Sequence, residues 1–100
     1  MVTDIRISTQ TIKVLSEFMA RAADELSGAE IAKQTGLASG TLYPILTRLE
    51  DSGWLESRWE TGLAKDLARP RRRYYKITPE GARNVRALVR GLTPAAWSPA

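Results

Sequence analysis

The chain has 100 residues, 43% of them hydrophobic, and a formal net charge of +4, which suits one domain with one modest core. It has no cysteine and no histidine, so disulfides, thiolate metal sites, imidazole bases and serine triads are excluded and no cofactor or catalytic site is expected. No apolar run approaches the ~20 residues of a membrane span, and the start MVTDIRIST has no apolar signal core, so a cytoplasmic protein with no membrane partner is expected.

The basic excess is unevenly placed. Residues 1–60 hold six Lys/Arg and nine Asp/Glu, net −3, whereas residues 61–100 hold nine and two, net +7. Such asymmetry points to one face meeting a polyanion, with a merely solvated basic surface as the simpler alternative.

Residues 3–8 alternate weakly around Ile5 and Ile7, so residues 1–8 fit a short edge strand or an ordered arm. The first helix is expected to start near Thr9, with Ile12, Leu15, Met19, Ala22, Ala23 and Leu26 as its core stripe. Val14 and Phe18 then lie on another side, free to pack on the tail, cap the core or join a dimer seam. Ser27-Gly28-Ala29-Glu30 reads as a capping box opening the second helix. Ile31 and Ala32 point inward, Gly36 stops the helix in a left-handed conformation, and Leu37 plugs the corner.

The third helix is expected to be capped by Ser39 and to run to about Ser52. Leu42, Ile45, Leu46 and Leu49 recur at helical spacing and form its core face. Gly40, Tyr43, Pro44, Thr47, Arg48 and Asp51 fall opposite. Pro44 lies about one turn in, where its missing N–H costs less than it would deeper in the helix.

After Gly53, residues 54–60 read as a strand with Leu55, Ser57 and Trp59 on one side and Glu56, Arg58 and Glu60 on the other. Residues 61–72 form a loop too long for a tight hairpin, and 73–77 form the return strand. Thr78-Pro79-Glu80-Gly81 opens a final helix, with Ala82, Val85, Leu88, Val89 and Leu92 as its buried stripe and Pro94 as its end. Residues 9–92 thus form one domain and 93–100 a tail, frayed unless Trp97 docks. The expected fold class is mainly α with a small two-stranded β-wing, in winged helix-turn-helix order.

This pattern suits DNA. A major groove about 12 Å wide admits a helix with a slim leading face, and the third helix leads with Ser39, Gly40, Thr41, Tyr43 and Pro44. Thr47 and Arg48 follow one turn on. Ser27, opening the bracing helix, joins the candidate contacts. On the wing, Arg71 and Arg72 are the first choices for phosphate or minor groove, with Arg69 and Arg73 next. The competing roles are structural: Tyr43 packed on the wing, Ser39 purely a cap, and the arginines a solvated loop. Arg83, Arg86 and Arg90 on the last helix read as a solvated face, which becomes a phosphate contact only if that side meets the duplex. Trp54, Trp59, Tyr74 and Tyr75 read as cross-strand aromatic packing, with a pocket for an aromatic small-molecule effector as the alternative.

Gly40-Thr41-Leu42-Tyr43-Pro44-Ile45-Leu46, Arg48-Leu49-Glu50, Gly53-Trp54-Leu55, Arg73-Tyr74-Tyr75 and Thr78-Pro79-Glu80-Gly81 closely resemble the PadR-like winged-helix transcriptional regulators. The resemblance covers about residues 27–90. It implies a DNA-binding domain, usually a homodimer and usually a repressor, with the start of the third helix in the major groove and the wing on the minor groove or its phosphates. Those roles fall on Ser39, Gly40, Thr41, Tyr43 and Pro44, and on Arg71 and Arg72. Longer members build the dimer, and often an effector pocket, from a further carboxy-terminal segment. About eight residues follow the last helix in this sequence, so the resemblance is to a minimal form whose dimer would use the first helix, the arm, the last helix or the tail.

Two functions from different classes follow. The first is a sequence-specific regulator bound to double-stranded DNA as a dimeric repressor reading an inverted repeat. The second is a winged-helix protein-interaction module for an acidic partner, which an exposed apolar patch at Val14 and Phe18 would favour. Catalysis is the least favoured: Glu50 and Asp51 are adjacent and project apart, with no metal spacing or phosphate cradle near them.

Overall fold

The computed structural model describes residues 5–91 and 97–98. Ser8 caps α1 (Thr9–Ala20), its hydroxyl accepting the Thr11 N–H at 3.1 Å. The buried residues of α1 are Thr11, Val14, Leu15 and Phe18, an i, i+3, i+4, i+7 stripe. This corrects the sequence reading, because Val14 and Phe18 form the core and Ile12 is 52% exposed. The error came from carrying the helix to Leu26. The helix stops at Ala20, Ala22 and Ala23 are exposed, and Leu26 belongs to a strand.

Leu26–Ser27 forms a two-residue strand that adds a third member to the expected hairpin. Leu26 pairs with Tyr75 and Ser27 with Tyr74, antiparallel. Numbering strands along the chain, Ile5–Arg6 is β1, Leu26–Ser27 β2, Leu55–Trp59 β3, Arg73–Ile77 β4 and Trp97–Ser98 β5, and the main sheet runs β2-β4-β3. β1 pairs with β5 in parallel, Ile5 opposite Trp97 and Arg6 opposite Ser98, which ties the amino-terminal arm to the tail.

Ser27 also caps α2 (Gly28–Thr35) in a full capping box: its hydroxyl accepts the Glu30 N–H at 3.1 Å, and Glu30 accepts the Ser27 N–H at 3.0 Å. Gly36 ends the helix at φ 73°, a left-handed conformation in which a side chain is strained. The helix α3 (Ser39–Asp51) follows directly and buries Leu42, Ile45, Leu46 and Leu49.

Ala38, not Ser39, is the N-cap of α3, and no side chain caps it. Thr41 and Leu42 donate to the Ala38 carbonyl at 3.0 and 2.9 Å, so the helix starts one residue earlier than the serine suggested. Ser39 therefore keeps its hydroxyl free of a capping bond.

The β3–β4 hairpin pairs Leu55 with Ile77 through to Trp59 with Arg73. Within its long loop the chain forms a single turn, α4 (Ala64–Leu67). Thr78 and Pro79 open α5 (Pro79–Val89) as expected. α5 buries Val85 and packs Ala82 and Leu88 against the core, but Val89 is 82% exposed. This second correction follows from the helix ending at Val89, with Gly91 at φ 76°. Leu92 and Pro94, expected to extend and end this helix, lie outside the described residues.

The core joins Val14, Leu15 and Phe18 of α1, Ile31 of α2 and the four apolar residues of α3 to Leu26, Trp54, Leu55, Tyr75, Ile77 and Val85. The result is a winged helix-turn-helix, with α2 and α3 set by a common core beside the hairpin.

Candidate nucleic-acid interface

One groove brings α3 and the wing together. It is lined by Ser27, Gly28, Ala29, Tyr43, Trp59, Pro70, Arg71, Arg72, Arg73 and Tyr75, and holds about 550 Å³. Tyr43, 44% exposed, lays its ring end over Gly28. A Cβ at Gly28 would come within 3.0 Å of Tyr43 Cε1 and nearer still to its hydroxyl. The glycine thus lets the tyrosine lie across the start of α2.

Beside Tyr43 the outer face of α3 carries Ser39, Gly40, Thr41, Pro44, Thr47 and Arg48, all exposed. Pro44 has no N–H to give, so the Gly40 carbonyl is left without its usual helical donor. Ser27 does not share this exposure. It is 1% exposed and its hydroxyl oxygen holds the Glu30 N–H, so its observed part is to start α2, not to meet a partner at the surface.

The wing arginines divide into two kinds, which sequence reasoning missed. Arg69 is bound by both oxygens of Glu60, Nη1 donating to Oε1 at 2.7 Å and Nη2 to Oε2 at 3.0 Å. Arg73 stands 3.7 Å from Glu50 Oε2, with its guanidinium 5.1 Å over the Trp59 ring. Arg71 and Arg72 are exposed and have no carboxylate within ion-pair distance among the described residues, and the same holds for Arg48.

The aromatic residues of the hairpin also differ from expectation. Register sets Arg58 opposite Tyr74 and Trp59 opposite Arg73, so the cross-strand pairs are cation–π pairs and not aromatic stacks. The Arg58 guanidinium lies 5.3 Å from the Tyr74 ring while donating to Glu25 at 2.6 and 2.7 Å. Trp54 is fully buried in the core, and so is not available to line an effector pocket.

Glu60 is the most perturbed acid. The Arg69 guanidinium, chiefly by hydrogen bonding, holds its carboxyl down at about 2, below the ordinary 4.5; the Arg72 N–H and Tyr74 hydroxyl help, against some desolvation. A folded value below the unfolded one means this contribution to stability is present above about 4.5 and is lost as pH falls toward 2. A carbon-detected NMR titration of the Glu60 carboxyl is expected to show a midpoint near 2, and a midpoint near 4.5 would mean the Arg69 pair does not persist in solution.

Away from this face, α1 and α5 leave an apolar groove of about 310 Å³ lined by Ile7, Ile12, Leu15, Ser16, Val85, Leu88 and Val89. Arg86 and Arg90 flank its continuation beside Met19, and Arg83 is exposed. No group of three or more metal-binding side chains occurs among the described residues, and no described helix is long and apolar enough to cross a membrane.

The profile described as the transcriptional regulator PadR-like family matches residues 19–87. Among solved structures, a PadR family transcription regulator from Clostridium difficile matches with a TM-score of 0.68 and 26% identity over 84% of this chain and 86% of that one. One from Eggerthella lenta matches with a TM-score of 0.64 and 28% identity over 78% and 69%. MepR of S. aureus, solved in complex with DNA, shares the fold with a TM-score of 0.68 at 20% identity over 84% and 63%. The chain spans only 56% of a further match, disulfide-formed AbfR. No curated protein matches the chain in sequence.

Proposed function

The chain belongs to the PadR-like family of transcriptional regulators, and from that premise we propose that it acts as a dimeric repressor reading an inverted repeat. In this reading the start of α3 enters the major groove, and Arg71 and Arg72 reach the minor groove or its phosphates. The observation that carries it is the shared groove: Tyr43, on the exposed face of α3, lines the same opening as Arg71 and Arg72, which have no carboxylate partner among the described residues. MepR, which has the same fold, has been solved in complex with DNA, which is consistent with a DNA partner for this fold.

The test is fluorescence anisotropy of the purified protein with duplexes from around its own gene and with random duplexes, across a salt series. One duplex should bind far above random DNA, and its log affinity should fall linearly with log salt, with a slope of about −0.9 per phosphate contacted. Equal, weak binding to every duplex would count against a sequence-reading regulator.

A two-fold dimer fits the apolar α1–α5 groove, where Val89 and Ile12 are the exposed apolar residues. Val89→Asp is expected to shift the protein from dimer to monomer in analytical ultracentrifugation while leaving its melting temperature within a few degrees. An unchanged dimer would move the interface elsewhere. The protein-interaction alternative has lost its main support, because Val14 and Phe18 are buried in the core and form no exposed patch.

A further inference from the structure

We propose that Glu60, an acid on a face meant for a polyanion, is a positioning residue for DNA binding: it straps the segment 69–72 so that Arg71 and Arg72 are presented in a fixed geometry. The inference rests on the DNA-docking reading above and deepens it.

Glu60 stands just past the end of β3 with its side chain only 16% exposed. Four bonds converge on this residue. Arg69 donates twice to its carboxylate, the Arg72 N–H donates to Oε1 at 3.2 Å, and the Tyr74 hydroxyl donates to Oε2 at 3.4 Å. The Glu60 N–H in turn donates to the Arg72 carbonyl at 2.7 Å. The segment is thus pinned at Arg69 and again at Arg72, and between the pins stand Pro70, whose ring fixes φ, and Arg71.

The arrangement also explains why an acid is tolerated there. Arg69 neutralises the carboxylate locally, so its field at a nearby phosphate is small, while Arg71 and Arg72 stay exposed and without a carboxylate partner among the described residues. Without the strap, the twelve-residue connection of residues 61–72 must lose its backbone freedom when DNA binds, and that cost is subtracted from affinity.

Two physical accounts give opposite signs for one substitution. If Glu60 acts only as a charge, Glu60→Gln raises net charge by one and tightens DNA binding. If it positions the arginines, Glu60→Gln weakens binding by about tenfold, because ordering the strap now falls on the binding step. The salt slope should also become shallower, by up to about 1.8 if both arginine–phosphate contacts are lost.

The experiment measures anisotropy across a salt series with the tightest-binding duplex found for the wild type. It compares wild type, Glu60→Gln, the Arg71→Ala/Arg72→Ala variant and the triple variant, with circular dichroism melts of each. Support is a weaker Glu60→Gln with a shallower slope, together with a triple variant no weaker than the double one. Equal or tighter binding by Glu60→Gln, or a full additive loss in the triple variant, overturns the inference. If Glu60→Gln does not fold, Arg69→Leu breaks the strap from the other side. Its loss must likewise vanish on the Arg71→Ala/Arg72→Ala background, since a direct Arg69–phosphate contact would remain additive. Undiminished binding by the Arg71→Ala/Arg72→Ala variant would instead defeat the docking reading itself, whatever Glu60 does.

Discussion

Replacing Arg71 and Arg72 together by alanine is expected to weaken binding to every duplex, specific or random, by about 10- to 100-fold. Two released phosphate contacts should flatten the salt slope by about 1.8. The uniformity matters more than the size. Arginine–phosphate contacts position a protein and carry no sequence information of their own, so the ratio of specific to random binding should stay nearly constant. The same substitution at Arg69 or Arg73 acts through other physics, because Arg69 is engaged by Glu60 and Arg73 lies between Glu50 and Trp59. Anisotropy at several salt concentrations reads both slope and ratio. A variant that keeps the wild-type slope would remove the wing from the interface, and one that loses only the specific duplex would make these arginines readers of base edges.

Much of this fold was legible because several helix boundaries carry local chemistry. The Ser27–Glu30 box, the left-handed Gly36 and the Thr78-Pro79 start are short-range devices, and each appears where the residues imply it. The core face of α3 was equally plain, since four large aliphatics at helical spacing admit one solution. The face of α1 was not. Thr11, Ile12, Val14, Leu15, Phe18 and Met19 make a band wide enough for two stripes, and the choice depends on where the helix ends. That end at Ala20 has no glycine or proline to mark it, and β2 is too short to show a period of two.

The candidate interface was legible as residue types and illegible as states. Sequence showed a run of arginines, whereas their division into bound and free depends on carboxylates brought from elsewhere. Glu60 reaches Arg69 from nine positions away and Glu50 approaches Arg73 from the last turn of α3. Such pairings depend on hairpin register, and one residue of slip would turn Arg73 to the other face of the sheet. The register also turned the expected aromatic stacks into arginine–aromatic pairs.

Gly81→Ala is expected to cause the largest loss of stability of any single methyl added to this chain. Gly81 lies in the first turn of α5 over the backbone of Trp54. A Cβ there would come within 2.9 Å of both the Trp54 carbonyl carbon and its Cα, and nearer still to the carbonyl oxygen. A side-chain tip can swing aside, but this neighbour is main chain and is already held. The Trp54 carbonyl accepts the Thr78 N–H at 2.9 Å, the Thr78 hydroxyl donates to the Gly53 carbonyl at 2.6 Å, and that hydroxyl oxygen accepts the Gly81 N–H at 2.9 Å. Accommodating the methyl means moving α5 away from the corner between α3 and β3, which also loosens the packing of Ala82 and Val85 on the core. Overpacking costs ~1–3 kcal/mol and sometimes more, and the better helix propensity of alanine returns under ~1 kcal/mol. A backbone clash this close takes the upper end of that cost, leaving a net loss of about 2 kcal/mol, and at roughly 4–8 °C per kcal/mol for a domain of this size a drop of about 8–16 °C is expected by calorimetry. Because this corner joins α3 to the wing, the variant should, on the proposed docking, also bind DNA less tightly at temperatures where it remains folded. An unchanged melting point would mean that α5 can slide on the Trp54 backbone at little cost, and that the angle between α3 and the wing is set elsewhere.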